Sequence, residues 1–147
     1  MFFALDLATV THAIQLAVAP VFFLTAVAAM IGTVAGRLAR IIDRARVLEG
    51  RVEAATPDNL MTQAYTELKL LRQRAALVNI CIALLTLCAL LIGTTIVVLF
   101  LGETTVLPTP RIATISFLTG VSSFLLALLC FLTETLLATR ILKFGRY

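Results

Sequence analysis

Residues Arg37 to Arg51 read RLARIIDRARVLEGR. Five arginines stand in these fifteen positions, directly after 24 residues without a charge, Ala13 to Gly36. The apolar rhythm does not stop at Arg37. Leu38, Ile41, Ala45, Leu48, Val52 and Ala55 keep alternating steps of three and four, the seam of a packed helix. One helix is therefore expected to leave a membrane at Arg37 and run on into water.

On the N-terminal side, the 24-residue run covers about 36 Å as a helix, enough for a hydrocarbon core of about 30 Å. Pro20 removes one helical hydrogen bond and is expected to kink this span. Ala28, Gly32 and Gly36 recur every four residues, and small residues mark helix faces that pack closely in lipid. The expectation is that Gly32 and Gly36 face another helix. Residues 1–11 carry no Lys or Arg, so the first run reads as a retained span, not a cleaved signal. His12 reads as an interfacial residue, with pH sensing as the sharper alternative.

On the C-terminal side, Thr56, Pro57, Asp58 and Asn59 predict a turn. Met61, Ala64, Leu68, Leu71, Ala75 and Val78 then repeat the three-four spacing. Two such seams joined by a short turn predict an antiparallel helical hairpin over 37–74. A turn centred on Pro57 and Asp58 places Arg74 beside Asp43, and Glu67 within a turn of Arg44 and Arg51. A second span is expected at about 75–101, an outer loop at Gly102–Arg111, and a third span at about 112–138. Ser116, Thr119, Gly120, Ser122 and Ser123 give the third span a small, polar patch suited to helix packing.

The fold class is thus all-α integral membrane: one membrane domain of 147 residues, three transmembrane helices, and a cytoplasmic hairpin extending the first two. Composition agrees. The chain is 61% hydrophobic with 14% charged residues, where soluble domains carry about 25%, and its mean hydropathy is +1.05. Of the 12 Lys and Arg residues, eight lie between spans one and two, three in the tail, one in the 102–111 loop and none before the first span. Eleven against one places the hairpin and the C-terminus in the cytoplasm and the N-terminus outside. The same asymmetry accounts for the net charge of +4 without nucleic acid. Tyr65 is the one aromatic of the charged segment, which leaves no stacking platform for bases.

The chemistry of catalysis is missing from the pattern. There is one histidine, and no metal-ligand spacing, P-loop or nucleophile motif. Cys81, Cys88 and Cys130 fall in apolar runs and read as small buried hydrophobes. The expectation is no enzyme and no cofactor. Glu134, the one carboxylate inside a span, is expected to face protein or water with a partner. It reads as an ion pair with Arg37, Arg40 or Arg74 before it reads as a cation or proton site. The stripe of Arg37, Arg40, Arg44 and Arg51 has three readings: contact with anionic lipid headgroups, at about 1 kcal/mol each; pairing with Glu67 and other acids across the hairpin; or attraction of a cytoplasmic partner or of anions.

With these residues in view, the chain resembles a bacterial membrane family known as domain of unknown function twenty-seven twenty-one. The likeness rests on His12-x-x-Gln15-Leu16-Ala17 followed by Ala19-Pro20-Val21, on Arg37-Leu38-x-Arg40-Ile41-x-Asp43-Arg44-x-Arg46, and on Glu67 and Arg74. The resemblance implies a small integral membrane protein and carries over no catalytic residue; with the asymmetry of Lys and Arg, the expected location is a bacterial cytoplasmic membrane. Two roles stay open. One is a homo-oligomer with channel-like or ion-handling activity, using the small-residue ladder as its packing face; the other is a membrane-anchored scaffold that docks a cytoplasmic partner on the hairpin. The first is preferred.

Overall fold

Long uncharged runs whose hydrophobic seam continues past the first charges produce helices longer than a membrane is thick. In the computed structural model, α1 spans Leu7–Ala54, α2 spans Asp58–Gly102 and α3 spans Thr109–Phe144. The structure describes the backbone of residues 7–54, 58–102 and 109–144, and the side chains of Thr11 and of residues 14–50, 65–102 and 111–138. Each helix is long and apolar enough to cross a membrane. The expectations for the side chains of His12 and Arg51 fall outside the described residues.

One boundary differs from the sequence reading. α2 begins at Asp58, a capping residue of the expected turn, whereas α3 begins at Thr109, inside the expected loop. Pro110 then sits in the first helical turn, where its missing N–H has no partner to lose. α1 stays helical through Pro20, which is buried.

The chain divides into two compact units. The first comprises residues 1–30 and 84–125. Its core takes Ala17 and Val27 from α1, Leu85, Cys88, Ile92 and Thr95 from α2, and Ala113, Ser116 and Ser123 from α3. Small residues let α3 come close to α2. Ser116 Oγ donates to the Leu91 carbonyl at 2.9 Å, and Ser123 Oγ to the Leu84 carbonyl at 2.8 Å. A Cβ added at Gly120 would lie 3.1 Å from Ile92 Cδ1 and 3.3 Å from Leu91 Cβ. Phe23 meets Phe124 edge to face at 5.0 Å, tying α1 to α3. The expected small patch is thus divided: Thr119 and Ser122 are exposed and donate to carbonyls of their own helix.

The second unit comprises residues 31–83 and 126–147. Val34, Ile41, Leu71, Val78, Cys81 and Ala127 form its apolar core. Cys81 Sγ donates to the Ala127 carbonyl at 3.3 Å. The described part of the anticipated seams faces inward here, with Leu38, Ala45, Leu48, Leu68 and Ala75 half-buried beside buried Ile41, Leu71 and Val78, while the expectations for Val52, Ala55, Met61 and Ala64 fall outside the described residues.

One expectation of packing fails within the chain. Ala28, Gly32 and Gly36 are exposed, and a Cβ added at either glycine meets nothing within 4 Å. The reason is their phase on the helix. The inward face of α1 follows Val27, Ile31, Val34, Leu38 and Ile41 in steps of three and four. At about 100° per residue, Ala28, Gly32 and Gly36 lie roughly 100–180° round the helix from Val27, off that face at every rung.

Candidate functional site

In the second unit the charged ends of the apolar runs converge on one carboxylate. Arg37 is the first residue after the uncharged run of α1, and Arg74 is the last before that of α2. Glu134, on α3, is buried with 2% of its side chain accessible, while Arg37 and Arg74 keep 32% and 24%. Arg37 Nη1 donates to Glu134 Oε2 at 2.6 Å. Arg74 donates to Oε1 through Nη2 at 2.8 Å and Nε at 3.2 Å. Both carboxylate oxygens are therefore occupied, each by a different helix.

Two neighbours of Glu134 on α3 complete the clamp, and sequence reasoning missed both. Thr135 Oγ1 accepts a second bond from Arg37 Nη1 at 2.9 Å and donates to the Phe131 carbonyl at 2.9 Å. The Arg37 guanidinium also lies over the Phe131 ring, 4.7 Å from its centroid, a favourable cation–π geometry. Phe131 stands three residues before Glu134, on the same helix face, and that spacing was a readable signal.

One heptad farther along the pair, in opposite directions, Arg44 meets Glu67. Arg44 donates to Glu67 Oε1 through Nη2 at 2.6 Å and Nε at 3.2 Å. These contacts make α1 and α2 antiparallel in this unit and fix their register. The anticipated Arg44–Glu67 approach is present; the anticipated Asp43–Arg74 pair is not. Arg37 stands opposite Arg74, six positions before Asp43, which is exposed. A two-helix reckoning sought the counter-ion of Arg74 on α1, whereas α3 supplies it.

Arg37, Arg40, Arg44, Arg74 and Glu134 line a single pocket of about 380 Å³, with Ile41, Leu71 and Ala138 as its apolar wall. Asp43, Pro20 and the Ala28–Gly32–Gly36 ladder are not part of it. Among the described residues, no group of three or more His, Cys, Asp or Glu side chains converges as metal ligands would. The arrangement presents guanidinium donors to whatever enters, and the one carboxylate there is already neutralised.

Three long apolar helices, with a buried carboxylate clamped between arginines of two of them, define a small multi-pass membrane protein. Residues 17–144 match the family described as Protein of unknown function (DUF2721), and the chain belongs to that family. No curated protein and no solved structure matches it.

Proposed function

We propose that the chain is a non-enzymatic protein of a bacterial cytoplasmic membrane that works as a homo-oligomer. In this reading the N-terminus lies outside. The charged extensions of α1 and α2 stand in the cytoplasm as a helical hairpin, on the same side as the C-terminus. The orientation rests on the excess of Lys and Arg between the first two apolar runs.

Assembly rests on one observation: the Ala28–Gly32–Gly36 face is open. Helices associate in lipid by close approach over small residues. At Gly120 the chain uses that approach internally, whereas around Gly32 and Gly36 there is space for the helix of a second copy. Cation handling draws little support, because Glu134 has both oxygens engaged. Channel-like activity of the assembly would involve anions drawn to an arginine-lined mouth. The scaffold reading draws on Val47, Tyr65 and Leu70, apolar side chains exposed on the extensions beyond the uncharged runs. There they offer a soluble partner an apolar footing.

Mass measurement in nanodiscs tests the assembly. The wild type should run as a multiple of the 15.9 kDa chain. Gly32→Leu combined with Gly36→Leu should reduce it to one copy with helicity unchanged. A wild type found as a single chain, or a double variant that assembles normally, sinks the proposal. Anion flux in liposomes that vanishes with assembly would favour the channel over the scaffold.

A further inference from the structure

The clamp neutralises less charge than its pocket contains. Four guanidinium groups, those of Arg37, Arg40, Arg44 and Arg74, line the recess of about 380 Å³. Two carboxylates answer them, Glu134 and Glu67, so four positive charges less two leave a surplus of two. Arg40 is exposed and has no ion pair with a described residue. Arg44 and Arg74 each use Nε and Nη2 on a carboxylate, which leaves each Nη1 available as a donor. The apolar wall includes Ile41 and Leu71, both buried.

Planar forks with spare donors match the oxygens of a phosphate group better than a point charge does. The position matches as well. Arg37 and Arg74 bound the uncharged runs of α1 and α2, so the pocket stands where hydrocarbon gives way to headgroups. An anion bound there meets guanidinium groups on one side and an apolar wall on the other. Both halves of a phospholipid are thereby accommodated.

We propose that this pocket binds a phosphate group, presented by an anionic phospholipid of the surrounding leaflet. The site belongs to a single chain and does not depend on assembly.

The test compares wild type, Arg40→Gln and Arg46→Gln in nanodiscs. One set of discs holds phosphatidylcholine alone, the other an equal mixture with phosphatidylglycerol. Arg40 lies outside the clamp, so its removal leaves the fold intact. Arg46 is exposed and absent from the pocket, which makes it a control of equal charge. Lipid retained in native mass spectrometry and the thermal midpoint are read together, with inorganic phosphate titrated into the phosphatidylcholine discs as a second arm. Wild type and Arg46→Gln should retain phosphatidylglycerol preferentially, and Arg40→Gln about five-fold less. An Arg40-dependent rise in midpoint with inorganic phosphate alone keeps the phosphate site but transfers it to a soluble ligand. If neither arm shows a loss specific to Arg40→Gln, the proposal is overturned.

Discussion

In the first unit α3 meets α2 through Ser116, Gly120 and Ser123; in the second it meets α1 and α2 through Glu134. The first set is neutral and small. Each hydroxyl satisfies itself on a backbone carbonyl, and the absent side chain of Gly120 lets the helices approach. Such bonds between helices in membranes contribute about 0.6 kcal/mol on average, so close packing must supply most of the cohesion there. The second set is ionic. It is tolerable because Arg37 and Arg74 reach outward while Glu134 is sealed. The same helix thus changes its means of attachment along its length. Failure of the two attachments should differ in size.

The largest effect is expected at Glu134. Glu134→Gln leaves two half-buried guanidinium groups without a counter-ion, and loss of one partner of a buried pair typically costs about 3–5 kcal/mol. Reversible unfolding in mixed micelles should register that loss. Replacing the whole clamp by Glu134→Leu, Arg37→Met and Arg74→Leu should recover most of it, since no unpaired charge remains. A Glu134→Gln variant within about 1 kcal/mol of wild type would show that the second unit, like the first, is held mainly by packing.

A smaller effect is expected from the glycines. Gly120→Leu forces atoms into a space bounded at 3.1 Å by Ile92 and should cost about 1–3 kcal/mol. Gly32→Leu enters open space and should not destabilise a single chain in detergent, since replacing a mid-helix glycine favours the helix by about 0.5–1 kcal/mol. Equal losses from the two variants would mean that the α1 face is covered within the chain.

The sequence carried the helices plainly, because runs of more than twenty uncharged residues have few other uses. It also carried the need of Glu134 for a cation, with Arg37, Arg40 and Arg74 as candidates; Arg37 and Arg74 pair with it and Arg40 does not. It did not carry the register of α1 against α2. That register depends on α3, which lies sixty residues beyond Arg74 at the point of contact. Nor did the presence of small residues separate a buried face from an open one. Phase would have done so. Ala113, Ser116, Gly120, Ser123 and Ala127 step by three and four in line with buried Glu134, whereas Ala28, Gly32 and Gly36 lie roughly 100–180° away from the buried line of Val27, Val34 and Ile41.

The smallest effect offers the sharpest control. Arg44 grips Glu67 with the same two nitrogens on one oxygen that Arg74 uses on Glu134, at 2.6 and 3.2 Å against 2.8 and 3.2 Å. Geometry is therefore nearly matched, and burial differs. The Arg44 and Glu67 side chains are 69% and 41% accessible, so water screens their attraction and holding two long side chains in one geometry offsets much of it. A double-mutant cycle on Arg44→Ala and Glu67→Ala should give a coupling of about 0.2–1 kcal/mol, diminishing as salt rises. The corresponding cycle on Arg74 and Glu134 should give a larger coupling that salt barely moves. If the two cycles return the same coupling with the same salt dependence, burial is not what separates the clamp from the surface pair, and the contrast between the two pairs collapses.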